Sequence, residues 1–305
     1  MSEFLPYHVP ALLAECVEAL AVKASGTYVD LTFGGGGHAR EILQRLGVKG
    51  RLLAFDQDAD AEANAALIGD KRLTLVRGNF RFLRSYLRYH KAGEVDGILG
   101  DLGVSWHQFD TAERGFSFRF DAALDMRMNS CGERTAIDVI NGSTVADLSR
   151  ILSVYGELPN ARKLAAMVEQ ARRDKPITTA GELVEALRPA LPKIDEHKVL
   201  AKIFQALRIE VNREMQALEQ MLAQTAKVIK RGGRIAIISY HSLEDRMVKN
   251  FIRCGNVHGE QSKDLFGNVS VPFVAVNRKV ITPGEAEIAG NTRARSAKLR
   301  VAEKI

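Results

Sequence analysis

Four consecutive glycines stand directly behind an apolar, β-prone run in Tyr28-Val29-Asp30-Leu31-Thr32-Phe33-Gly34-Gly35-Gly36-Gly37-His38. Glycines at such a point tolerate positive φ and let a ligand approach the backbone. Gly34, Gly36, Gly37 and His38 are therefore candidate binding positions, and the plain alternative is a tight turn. Asp56 closes the next apolar run, 22 residues after Gly34. A carboxylate there can accept hydrogen bonds from both hydroxyls of a ribose; taken alone it reads equally as a surface turn residue. Gly34-x-Gly36-x-x-Ala39 also satisfies a loose dinucleotide fingerprint, so an NAD-dependent oxidoreductase is compatible with this spacing.

Two more groups follow at the ends of the next two runs. Phe80, in Gly78-Asn79-Phe80, is placed to pack against an adenine ring or to serve as ordinary core. Asp101, in Asp101-Leu102-Gly103-Val104-Ser105, would aim its carboxylate at the same crevice. Four strand ends with suitable groups argue for a site more strongly than any one of them. Further on, Tyr240-His241-Ser242-Leu243-Glu244-Asp245-Arg246 offers a His-Ser pair. Neighbours on an extended segment point in opposite directions, and no G-x-S-x-G elbow surrounds the serine. Ser242 or Asp245 is instead expected to cap a helix, with His241 left as a substrate contact.

Behind these residues the elements alternate. The runs Tyr28–Phe33, Arg51–Phe55, Leu73–Val76 and Val95–Leu99 are separated by helix-like segments at 39–46 and 59–67. That alternation predicts βαβ units and a parallel sheet. Near residue 106 it stops. Thr144-x-x-Asp147 and Thr179-x-x-Glu182 read as helix N-termini, and Pro189 and Pro192 end the second helix. From Lys198 to Arg231 no proline or glycine interrupts an apolar stripe, which predicts one helix of roughly 45–50 Å. Strand signal returns at Arg234–Ser239, Pro272–Val280 and Ala297–Val301. The expected architecture is an α/β domain, residues 1–110 with 208–305, split by a helical insertion at 111–207.

The formal charge of the 305-residue chain is +6, a mild bias toward an acidic partner. The three cysteines are widely spaced and form no CxxC pair, so neither a disulfide framework nor a zinc site is expected, and a cytoplasmic location fits. No secretory signal or membrane span is recognisable. Residues 71–91 hold seven Lys or Arg, no Asp or Glu, and the interleaved aromatics Phe80, Phe82, Tyr86 and Tyr89. Such a segment suits phosphates and unpaired bases; the alternative is an amphipathic helix with a solvated basic face. Asn291–Arg300 is also basic, and the alternative there is a solvated tail.

Over essentially its whole length the chain resembles the MraW-type (RsmH) methyltransferases of small-subunit ribosomal RNA. The resemblance rests on His8-Val9-Pro10 with Leu12, Leu13 and Glu15; on Asp30–Gly34 with Gly36-Gly37-His38; and on Asp56-x-Asp58. It continues through Asp101–Ser105 with Gln108, Glu113–Phe118, Leu124–Met128, Phe204–Ile209 with Asn212 and Glu214, Ser239–Arg246 and Arg293–Arg300. Departures are Trp106-His107 where a Ser-Pro pair is usual, Ala123 and Thr292 at usual proline positions, Leu158-Pro159-Asn160 in place of a charged and aromatic run, and Tyr240 for a usual Phe.

The resemblance implies a class I (Rossmann-like) methyltransferase sheet with an inserted helical domain that engages RNA. It implies S-adenosyl-L-methionine as cofactor, held by Gly36, Gly37, His38, Asp56, Phe80, Asp101 and Gln108, beside Gly34 of the same turn. The acceptor would be N4 of a cytidine in the decoding region of 16S rRNA, within the small ribosomal subunit; a homodimer is compatible with it. Asp101 is the first candidate for the polar group at the reacting amine, with Ser105 and His241 behind it. A non-catalytic RNA-binding assembly factor is the other alternative.

Overall fold

The computed structural model describes residues 10–261 and 271–305; His8 and Val9 of the family-like N-terminal motif lie outside them. The chain divides into two compact units. One comprises the residues up to Gly103 together with Met215–Ile305, and the other Val104–Glu214. The junctions expected from sequence, after residue 110 and before 208, each lie seven residues from these.

In the first unit the elements run α1 (Leu13–Ala19), β1 (Thr27–Asp30), α2 (Gly37–Arg45), β2 (Arg51–Asp56), α3 (Asp60–Ile68), β3 (Leu73–Arg77), α4 (Leu83–Tyr89) and β4 (Val95–Asp101). Strands β2 and β4 are buried along nearly their whole length, as central strands of a parallel sheet covered on both faces must be. After the second unit's α5 (Trp106–Asp110), α6 (Ala136–Gly142), α7 (Val145–Val154), α8 (Ala161–Asp174), α9 (Ala180–Leu187) and α10 (Glu196–Asn212), the first unit resumes with α11 (Glu214–Val228) and β5 (Ile229–Ser239). It ends with α12 (Ser242–Cys254), β6 (Phe273–Ala275), α13 (Glu285–Gly290) and β7 (Lys298–Lys304).

The sheet has seven strands in the order β3-β2-β1-β4-β5-β7-β6. Strands β1 to β5 pair in parallel, whereas β7 runs antiparallel to both β5 and β6. Winding proceeds outward from β1 through β2 to β3, then reverses through β4 to β5. The reversal leaves a crevice beyond the carboxyl ends of β1 and β4, where open α/β sheets bind ligands. Apolar side chains pack both faces: Val29, Leu31, Phe55 and Ile98 contribute to one cluster, Tyr28, Leu52, Ala54 and Leu99 to the other. The alternation is that of strands with successive side chains on opposite sides.

The helical unit has a core of its own, with Leu124, Ile151, Leu164, Leu183 and Ile203 nearly or wholly buried. Its helices start where the sequence predicts: Thr144 caps α7, and Thr179 with Glu182 forms a capping box on α9. Each such cap contributes about 1 kcal/mol.

The single long helix expected over 198–231 is two helices. Arg213 takes φ 50°, a left-handed conformation, between α10 and α11. Asn212 explains the stop. Its amide donates to the carbonyls of Met126 and Arg208 and accepts from the Met128 N–H, while Arg208 pairs in two-pronged fashion with Glu214. These bonds offset the cost of a left-handed arginine, about 1–2 kcal/mol. No helix among the described residues is long and apolar enough to cross a membrane.

Candidate functional site

The turn after β1 is shaped by close approach. Gly34 and Gly36 have φ of 51° and 76°, values that suit glycine. A Cβ on Gly36 would come within 2.8 Å of Ile68, and one on Gly37 would collide with the Pro10 ring. Gly34 differs: a Cβ there would meet no atom within 4 Å. Its surface is open, as a ligand's approach requires. Helix α2 starts at Gly37, and its first N–H groups make this end favourable for negative charge. The His38 imidazole is buried against the Ala11 carbonyl, 3.3 Å from Nε2. What His38 can present to a ligand is therefore its backbone more readily than its ring.

Asp56 is tied into this turn. One carboxylate oxygen accepts the Gly34 N–H at 2.7 Å and the other the Asp58 N–H at 2.9 Å. Asn64 of α3, which the sequence did not single out, donates to the Gly34 carbonyl at 3.0 Å. The turn is thus held from β2 and from α3. Each Asp56 oxygen still has lone-pair capacity for a further donor.

Across the switch point, the Asp101 N–H donates to Thr32 Oγ at 2.7 Å, and the Leu31 N–H donates to the Leu99 carbonyl. These bonds clamp the end of β1 to the end of β4. Asp101 Oδ1 accepts the Tyr240 hydroxyl at 2.8 Å. Asp30, fully buried at the end of β1, accepts the Thr32 N–H with one oxygen and has no partner for the other.

Burial pushes the Asp30 and Asp101 carboxyls up to about 7. Thr32 and Tyr240 pull them down, and neighbouring carboxylates push further: Asp56 acts on Asp30, and Asp30 and Glu244 act on Asp101. Asp56 is also raised, chiefly by burial and against the pull of its N–H donors. Among the described residues, the charged groups that act on Asp30, Asp56 and Asp101 are other carboxylates, Asp58 among them for Asp56. Three strand ends therefore hold carboxyls whose ionised forms are disfavoured in the ligand-free protein, and a bound cation would favour those forms.

Phe80 follows β3 as the first residue of a short 3₁₀ turn capped by Asn79, and packs partly buried against the core that contains Phe55 and Leu83. His241 has its ring at the N-terminus of α12, where Nδ1 accepts the Glu244 N–H at 3.4 Å. The cap expected from Ser242 or Asp245 is thus supplied by His241. Asp245 is engaged elsewhere, accepting two bonds from Arg300. A histidine cap is invisible to rules built on Ser, Thr, Asp and Asn. The supposed basic tail is likewise structured: Leu299 and Val301 of β7 are buried, and Lys298 and Arg300 pair with Asp245.

Ser105 and Gln108 belong to the helical unit. They form a reciprocal capping box on α5, in which Ser105 Oγ accepts the Gln108 N–H and Gln108 Oε1 accepts the Ser105 N–H. The Ser105 hydroxyl is thereby occupied as an acceptor.

The sequence profile of the MraW methylase family matches residues 6–305. The chain is 58% identical over 298 residues to the ribosomal RNA small subunit methyltransferase H of Bacteroides fragilis, covering 98% of this chain and 97% of that one. It is 53% identical over 305 residues to the protein of the same name from Flavobacterium johnsoniae, with both chains covered completely. The likeness therefore spans the glycine turn, all seven strands and the helical unit.

Proposed function

The chain belongs to the MraW methylase family, and from that premise we propose that it transfers the methyl group of S-adenosyl-L-methionine to N4 of a cytidine in the decoding region of 16S rRNA, within the small ribosomal subunit. The relatives that share more than half its residues bear the name of small-subunit ribosomal RNA methyltransferases. The observation that carries the cofactor is the trio of carboxylates around the open Gly34 turn, Asp30 buried and Asp56 and Asp101 partly exposed.

Those residues fit the group. S-adenosylmethionine carries a sulfonium and an ammonium, cationic groups that would favour the ionised forms of Asp30, Asp56 and Asp101. What disfavours the oxidoreductase reading is the family: relatives sharing more than half of the residues carry the name of ribosomal RNA methyltransferases. The sulfonium supplies a methyl with a good leaving group. The cytosine amine is a weak nucleophile because its lone pair is delocalised into the ring.

Catalysis then consists mainly of alignment for in-line displacement. Asp56 fixes the glycine turn and has capacity for ribose hydroxyls. Asp101, held by Thr32 through its backbone and by Tyr240 through its side chain, is the acceptor for an amino group, either that of the cofactor's methionine end or the attacking amine. Accepting a hydrogen bond from the attacking amine localises its lone pair and provides a path for the proton it must lose. Ser105, Gln108 and His241 remain proposed participants in substrate and cofactor contact. The target base must leave its stack to be reached.

The test is incubation with methyl-labelled cofactor and small subunits lacking the modification, followed by mapping of the labelled nucleotide. Label on a cytidine N4 of 16S rRNA is expected. Bound RNA without transfer favours the assembly-factor alternative, and a thermal shift with NAD in place of S-adenosylmethionine favours the oxidoreductase.

A further inference from the structure

Helix α4 and the turn before it present two kinds of side chain on opposite faces. Leu83 and Leu87 are buried in the sheet core, and Tyr86 packs edge-on against Phe55. Outward stand Arg84 and Arg88, with Phe82 at 50% and Tyr89 at 79% exposure. Phe82, the last residue of the 3₁₀ turn, and Tyr89, the last residue of α4, stand at the two ends of the helix.

The segment is held in place at both ends. Gln224 of α11 donates to the Arg81 carbonyl and accepts the Arg84 N–H. Arg51 donates to the carbonyls of His90 and Lys91. The Arg81 guanidinium lies 4.9 Å from the Phe82 ring centroid, which steadies one face of the ring by cation–π attraction. Arg72 and Arg77 of the same basic stretch are neutralised by Asp70 and Glu62. Arg84 and Arg88 have no acidic partner among the described residues.

We propose that the outer face of α4, formed by Phe82, Arg84, Arg88 and Tyr89, is a docking surface for unpaired ribosomal RNA, with bases stacked on the two rings and phosphates against the two arginines. Charge decides the occupant. Unpaired cations beside exposed aromatics match a strand that offers a phosphate and a π face at each nucleotide. The inference rests on the methyltransferase reading, and its test separates the two.

The variants are Arg84→Glu/Arg88→Glu and Phe82→Ala/Tyr89→Ala in the full-length protein. Affinity for 16S rRNA and for small subunits is measured over a series of salt concentrations, with S-adenosylmethionine affinity and methyl transfer measured in parallel. The charge-reversed protein is expected to bind RNA at least tenfold more weakly, with a salt slope shallower by about two phosphate contacts. The aromatic variant is expected to bind more weakly with its slope unchanged. Both should bind S-adenosylmethionine like the parent, showing that they are folded. Unchanged RNA affinity and slope in both variants would overturn the docking surface, as would weakened binding to small subunits with unchanged binding to 16S rRNA, the mark of a protein partner. If the parent itself transfers no methyl group to small subunits, the functional reading fails instead.

Discussion

The Tyr240 hydroxyl donates to Asp101 Oδ1 at 2.8 Å, joining the residue after β5 to the last residue of β4. Burial and the adjacent carboxylate push the Tyr240 phenol far up, so it stays protonated and can only donate to the charged form of Asp101. A phenylalanine, usual at this position in the family that the sequence resembles, could not make this bond. Tyr240→Phe is expected to cost about 0.5–1.5 kcal/mol of stability. Because the bond lowers the Asp101 pKa, its loss should move the acidic limb of the pH–rate profile to higher pH. A limb that stays in place counts against Asp101 as the group that titrates there.

Asp101→Ala should abolish methyl transfer to small subunits, with the fold retained as judged by circular dichroism. Near-normal turnover would remove Asp101 from the reaction.

Asp56→Ala removes the acceptor for two backbone N–H groups. Calorimetric titration is expected to show S-adenosylmethionine affinity lowered by tenfold or more, with a stability loss of about 1–3 kcal/mol. Asp56→Asn, which keeps one acceptor oxygen, should fall between. Equal affinity in all three proteins would take Asp56 out of the site.

Gly34 and Gly37 should respond differently to alanine. At Gly34 the methyl group has room, so Gly34→Ala carries only the strain of a positive φ, about 1–2 kcal/mol, yet occupies the space through which a ligand approaches. Cofactor affinity should fall much further than melting temperature. At Gly37 the Pro10 ring is in the way, and Gly37→Ala should reduce stability first. The reverse order would show that the open surface at Gly34 is not the binding face.

The raised carboxyls set a pH dependence. Asp30 and Asp101 ionise near 3.8 when unfolded and near 7 in the fold. Between about pH 4 and 7 the folded protein retains protons that the unfolded chain has released, so stability of the ligand-free protein should fall as pH rises through that window and level off above it. A bound cation favours the ionised forms. S-adenosylmethionine binding should therefore release protons near neutrality and tighten with rising pH. Calorimetry in buffers of different ionisation enthalpy reads the proton count, and Asp30→Asn should diminish both effects. Proton uptake on binding would contradict the electrostatic account.

The first four strands were legible because each is a short apolar run closed by a turn signal, and the residues singled out at their ends, Gly34, Asp56, Phe80 and Asp101, do sit there. The helix starts at Thr144 and Thr179 were legible for the same local reason. What depended on distant partners was not. Arg213 breaks a continuous apolar stripe because Asn212 bonds to residues more than eighty positions away. Asn64 is an unremarked helix residue until the fold brings it to the Gly34 carbonyl. Asp30 looked like one more strand residue, and only burial shows it as a carboxylate with an unpartnered oxygen. The order of β5, β7 and β6 had no local signature at all.

The sheet order also bears on how the protein is made. Strand β4 lies between β1 and β5, but the ribosome must synthesise the whole helical unit before β5 appears. At typical elongation rates that delay is on the order of ten seconds. Throughout it, the nascent chain holds β1 to β4 with one flank of β4 unpaired, an invitation to mispairing. The helical unit, which has its own core, can settle first. The half-built crevice gains Tyr240 only when the final third of the chain emerges, so its completion is a late event in the protein's biogenesis.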